Sequence, residues 1–274
     1  MFIGILKFLM YSMVIVIISK YVLVRLLRAF ASNLNLSSKT IGNIAGVATS
    51  MPELLTVSFS AFAGLIATSI YNIISSNTIN LLQYILAVFL NKNQTQLKNK
   101  GLKIELLLVA FTIIIPVLML IFNIDFRIQI VPIFLILFAF FYYINANVHK
   151  LYLKKEKKEK SKNNVKNNKS KAFIIVKYTI YLLVTSVILY LIGNELSKAL
   201  EELARIFNIP EIMLGIALGF ITSLPELITF FESQKHYKEE KTEGIVEATN
   251  NLLASNILNL FIIQSVGIII INLA

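Results

Sequence analysis

Two glutamates carry the chemistry this chain offers. Glu53 stands in T-S-M-P-E-L, Thr49 to Leu54, and Glu226 in T-S-L-P-E-L, Thr222 to Leu227. Both lie in apolar segments long enough to cross a bilayer. There a carboxylate costs at least about 2.5 kcal/mol and needs a cation, a proton or a partner. The proline just before each glutamate removes a backbone donor. That frees carbonyl oxygens near Ala48 and Ile221, which a membrane tolerates only where protein or a wet cavity receives them. Thr49 and Thr222 precede their glutamates by one helical turn, so hydroxyl and carboxylate share a helix face. Hydroxyl, carbonyl and carboxylate oxygens together suit a hard cation such as sodium or calcium. A single copy would read equally well as a structural kink. Two copies argue for a site.

The elements that must position these groups are membrane helices. The chain has 274 residues, 57% hydrophobic and 15% charged, against about 25% charged in soluble domains. The expected class is all-α, a polytopic membrane protein. No cysteine is present, which excludes disulfides, thiolate metal sites and thiol catalysis. Nothing indicates covalent chemistry, so neither an enzyme nor a cofactor is expected. The net charge of +11 does not point to nucleic acid, because lysines crowd into one stretch from Lys150 to Lys171. That placement fits the cytoplasmic face of a membrane protein, with lipid as the partner.

Eight apolar segments approach the length of a span, at roughly 2–24, 41–63, 68–90, 103–123, 128–148, 172–193, 211–231 and 248–271. Lys20, Arg25, Arg28 and Lys39 follow the first, and Lys92, Lys98, Lys100 and Lys103 the third. The lysine loop follows the fifth, so these loops face the cytoplasm and both termini face outside. The chain then divides into residues 1–148 with five spans, a Lys-rich cytoplasmic linker at 149–171, and residues 172–274 with three spans. Lys154 to Lys171 has almost no apolar residue and cannot offset its ordering entropy by burial.

The sequence repeats. Asn35 to Ser60 lays onto Asn208 to Ser233, with Gly42, Gly46, Thr49, Ser50, Pro52, Glu53, Leu54, Thr56 and Ser60 matched by identical residues. Asn72 to Leu81 lays onto Asn251 to Leu260, pairing Asn72, Ser76, Asn77, Asn80 and Leu81 with identical partners. Four spans separate the copies, so they point in opposite directions, as inverted transporter repeats do. Ser76 with Asn80, and Ser255 with Asn259, each share a helix face. Alone, they would serve as hydrogen-bonding glue between helices. Beside a helix carrying Glu53 or Glu226 they become candidate ligands. Gly42, Gly46, Gly215 and Gly219 read as close-packing positions that also bare the backbone carbonyl.

These residues resemble the calcium/cation antiporter superfamily, whose sodium/calcium exchangers carry G-[ST]-S-x-P-E in one helix and G-S-N-x-x-[ND] in the next. Here they read A-T-S-M-P-E and S-S-N-T-I-N, then I-T-S-L-P-E and A-S-N-I-L-N. The resemblance implies one cation-coordinating set of Gly46 (by its carbonyl), Thr49, Ser50, Glu53, Ser76 and Asn80. It implies a mirrored set of Gly219, Thr222, Ser223, Glu226, Ser255 and Asn259. It also implies that the first and sixth spans are long tilted helices sliding across this core. The family's glycine is replaced by Ala48, Ile221, Ser75 and Ala254, and an aspartate is common where Asn259 stands. The family layout is five spans plus five. Eight therefore imply a shortened member or a truncated product, lacking counterparts of the fourth and fifth spans, which carry no site residue.

The expected function is secondary antiport of calcium for sodium or protons across the plasma membrane. One divalent ion, two monovalent ions or two protons each neutralise the pair Glu53 and Glu226. An antiporter for magnesium or potassium is the nearest alternative, and a non-transporting membrane scaffold of the same family the more distant one.

Overall fold

Where Ser50 and Ser223 precede a proline by two residues, a helix breaks; elsewhere the apolar runs give long helices. The computed structural model describes residues 2–34, 36–122, 124, 126–156, 168–236 and 241–273. Helix α1 (Phe2–Ile18) runs through a π-helical turn (Ser19–Leu23) into α2 (Val24–Leu34). Then come the half-helices α3 (Ser38–Thr49) and α4 (Met51–Phe62), followed by α5 (Ile66–Leu90), α6 (Lys100–Ile121) and α7 (Val131–Glu156). Helix α8 (Asn168–Phe207) leads to the half-helices α9 (Glu211–Thr222) and α10 (Leu224–His236). Last come α11 (Lys241–Ile257), a π-helical segment (Leu258–Ile263) and α12 (Gln264–Leu273).

The all-helical membrane class holds. Six helical stretches among the described residues are long and apolar enough to span a membrane, at 66–90, 100–121, 128–148, 173–196, 211–235 and 242–273. Eight were expected. The segment at 41–63 is not among the six; Ser50 divides it into two halves of 12 residues each, as Ser223 divides 211–235. The segment at 2–24 is helical, but its α-helical part, α1, is 17 residues long. The core of the lysine linker, residues 157–167, lies outside the described residues, as does 237–240 in the second repeat's longer loop.

The repeats interlock. Half-helix α3 packs on α11, and α9 packs on α5, so the first half-helix of each copy lies against a long helix of the other. Glycines permit the approach. A Cβ on Gly46 would stand 2.5 Å from the Asn251 carbonyl oxygen and 2.9 Å from the Ser255 nitrogen. On Gly219 it would stand 2.7 Å from the Asn72 oxygen and 2.8 Å from the Ser76 nitrogen. These are the same contacts seen from the two copies.

Helices α1, α2 and α8 form a separate layer. Ile15, Leu23 and Leu27 pack on Leu189 and Leu196, with Ala45 and Ile221 reaching into the same apolar cluster from the half-helices. Helix α8 has 40 residues, about 60 Å at the α-helical rise, twice the thickness of a bilayer's hydrocarbon core. It must therefore tilt or project. The larger apolar core joins α5, α6, α7, α10 and α11 around Tyr84, Phe134, Phe230 and Phe261.

Candidate cation site at the centre of the repeat

The helix breaks are tight. Ser50 N–H donates to the Gly46 carbonyl at 3.2 Å and Leu54 N–H to Ser50 at 3.1 Å, and Ser223 makes the matching bond to Gly219 at 3.2 Å. Each break is thus a kink of one residue. Its serine hydroxyl also donates to the same carbonyl, from Ser50 to Gly46 at 2.8 Å and from Ser223 to Gly219 at 2.7 Å. Pro52 follows in the first turn of α4, where its missing N–H costs nothing.

Both kinks deliver a glutamate to the middle of the protein. Glu53 and Glu226 are each 0% exposed. Ser76 donates to Glu53 Oε1 at 2.8 Å, and Ser255 donates to Glu226 Oε1 at 3.0 Å. The serine hydroxyls join the copies: Ser50 meets Ser255 at 2.8 Å and Ser223 meets Ser76 at 3.0 Å. Asn80 donates to Ser255 at 3.4 Å and Asn259 to Ser76 at 3.3 Å. Thr222 stands beside the Glu53 carboxylate and Thr49 beside that of Glu226, while their hydroxyls donate to Leu218 and Ala45 carbonyls. The two carboxylates are close enough for their charges to act on each other.

All twelve candidate residues are therefore brought together, and all are buried. The balance of donors is informative. Glu53 Oε2, Glu226 Oε2, Asn80 Oδ1 and Asn259 Oδ1 are buried oxygens that accept no hydrogen bond. Uncompensated buried oxygens are costly, and oxygen atoms of this kind are what hard cations bind. The Gly46 and Gly219 carbonyls differ from the expectation, since each is already engaged by a serine.

Further residues, matched in the repeat but not among the candidate ligands, belong to the same network. Asn72 donates to Thr56 at 2.7 Å, and Asn251 donates to Thr229. Asn77 and Asn256 exchange amide-to-carbonyl bonds of 3.1 Å each, tying α5 to α11. Their signal was present, because all six are matched between the copies.

One expectation is corrected. Lys39 is no loop lysine: it is 3% exposed, and its Nζ lies 2.6 Å from Glu105 Oε1 and 3.0 Å from the Asn145 carbonyl oxygen. Asn250 donates to the other Glu105 oxygen at 3.3 Å. The fourth and fifth spans thus do hold a buried charged partner, though not for the central cluster. The ammonium leaves the water because Glu105 compensates it.

A family model described as sodium/calcium exchanger protein matches residues 4–148 and 177–273. Among solved structures, the sodium-calcium exchanger NCX_Mj soaked with 2.5 mM Na+ and 10 mM Sr2+ is similar at 26% identity and a TM-score of 0.57, over 98% of this chain and 83% of that one. The same exchanger soaked with 10 mM Na+ and no Ca2+ gives 24% identity and a TM-score of 0.60, over 97% and 82%. No curated protein matches the chain.

Proposed function

From the premise that this chain belongs to the sodium/calcium exchanger family, and is thus an integral membrane cation antiporter, we propose that it exchanges calcium for sodium or protons by alternating access. The observation that carries this reading is the pair Glu53 and Glu226, fully buried within one two-fold cluster of oxygen donors. Two carboxylates neutralise one calcium, two sodium ions or two protons, so the competing cargoes displace one another at a shared centre. Thr49, Thr222, Ser76, Ser255, Asn80 and Asn259 supply the remaining oxygens. Ser50 and Ser223 hold the kinks, and the Gly46 and Gly219 carbonyls become ligands when those serines turn away.

Alternating access needs a moving layer and a fixed one. The packing of α1, α2 and α8 on one another supports their moving together against α3 and α9. The membrane is the plasma membrane, with both termini outside, residues 149–171 cytoplasmic, and the two halves at 1–148 and 172–274 on either side of that linker. The test is calcium uptake into proteoliposomes against an outward sodium gradient or an outward proton gradient. Uptake that follows either gradient supports the proposal; uptake that follows neither, with protein correctly inserted, contradicts it.

A further inference from the structure

Two cavities flank the half-helices, and the repeat relates them. One, of about 720 Å3, is walled by Thr40, Asn43, Ile44, Val47, Ala48 and Met51. The other, of about 560 Å3, is walled by Met213, Ile216, Ala217, Phe220, Ile221 and Leu224, the equivalent positions of the second copy. Their chemistry differs. Lys39, Thr40 and Asn43 make one end of the first cavity polar, where the second copy has Ile212, Met213 and Ile216.

The polar end faces α7 and α8. Asn145 of α7 lines it, is 5% exposed, and its Oδ1 accepts no hydrogen bond; Asn43 Oδ1 is likewise buried and unpartnered. Lys39 is matched in charge by Glu105. The end is thus electrically balanced, and two buried amide oxygens there lack a donor. Beyond it Ile44, Val47, Leu182 and Leu183 make the walls mostly apolar, with Thr179 and Ser186 of α8 the polar exceptions. Val47, Tyr142 and Leu183 at the rim are 45%, 64% and 61% exposed on the flank of the bundle. The volume lies within the range of small-molecule sites.

We propose that this cavity binds an uncharged single-chain amphiphile with a hydroxyl head, of the monoacylglycerol class. Its hydroxyls donate to Asn43 and Asn145, and its chain lies against α3 and α8. A carboxylate head would bring further acceptors to oxygens that need donors, and an ammonium would find no net negative charge. Ala48 and Met51 flank the kink at Ser50, so the occupant braces α8 against the half-helix that carries the site. That last consequence rests on the antiporter reading; the binding does not.

The test reads binding. The full chain, reconstituted in phospholipid vesicles, is photolabelled with a diazirine-bearing monoacylglycerol, and the labelled peptides are mapped. Labels are expected on α3, α7 and α8, displaced by 1-oleoylglycerol and not by oleate. Thr40→Met with Asn43→Ile, residues already carried by the mirrored helix, should lower labelling about tenfold, the usual weight of a lost buried hydrogen bond. Val47→Phe, which puts the mirrored Phe220 at the rim, should lower it similarly and decides the matter if the double variant does not fold. Labelling unchanged in the folded variants, equal displacement by oleate, or no label above that on Met213 to Leu224 would overturn the proposal.

Discussion

Ser50 of the first repeat and Ser255 of the second meet hydroxyl to hydroxyl at 2.8 Å in the centre of the protein. The contact shows how the copies depend on each other. Ser50 belongs to the kink that carries Glu53, yet Ser255 is the hydrogen-bond donor to Glu226. Each glutamate takes its serine donor from its own repeat, and that serine meets the kink serine of the other.

It follows that a serine change in one copy should disturb the glutamate of either. Ser255→Ala removes the donor to Glu226 and a neighbour of Ser50, leaving a buried carboxylate oxygen without its partner. Calcium affinity measured from the concentration dependence of uptake should weaken about tenfold, the effect of one charge-assisted hydrogen bond. Ser76→Ala should match it within about threefold, because the two positions are equivalent. An effect at one serine alone would show that the copies do not share the work.

The close approach of α9 to α5 sets a second expectation. Gly219→Ala places a methyl 2.7 Å from the Asn72 carbonyl oxygen and drives it into Ser75. Overpacking of this kind costs about 1–3 kcal/mol, visible as a lowered melting temperature in detergent and reduced transport. Gly193→Ala meets nothing within 4 Å. It should hold or raise stability, by up to about 1 kcal/mol from helix propensity. Equal melting temperatures for the two variants would refute the packing description.

Much of this arrangement was legible in the sequence because it is written twice. Matching residues in two copies marked Thr49 to Glu53, Ser76 and Asn80 with their partners, and the geometry gathers them. The proline placed the helix break within two residues of Ser50. Lys39 was misread because its partner Glu105 lies far along the chain and neither has a charged counterpart in the second copy; position 212 is Ile212, 42% exposed. A lysine near a helix start carries no local mark of burial. The breaks at Ser50 and Ser223 leave no mark in hydropathy either, which reads 41–63 and 211–231 as single apolar runs.

The buried pair itself is testable. Lys39→Met strands Glu105, and Glu105→Gln strands Lys39; removing one partner of a buried pair costs about 3–5 kcal/mol. Each single variant should therefore melt well below the wild type. Lys39→Met combined with Glu105→Leu should recover most of that loss, because an apolar pair of similar size replaces the charges. Additive losses in the double variant would mean that the two residues act independently.

The topology can be read chemically, since the chain contains no cysteine. Thr95, between α5 and α6, and Glu202, near the end of α8, are exposed positions expected on opposite sides. Thr95→Cys should react with an impermeant maleimide only from the cytoplasm, and Glu202→Cys only from outside. Reaction of both from one side would break the inverted arrangement.

The most direct measurement is sodium-driven calcium uptake by Glu53→Gln and Glu226→Gln proteoliposomes, beside the wild type and with folding checked by melting temperature. Each substitution keeps the size and one carbonyl oxygen but removes one of the two negative charges that balance a divalent ion. Uptake reduced at least about 100-fold in both, from loss of a charge at membrane depth, is the result expected if the two carboxylates hold the ion together. Near-wild-type uptake in either variant would contradict it.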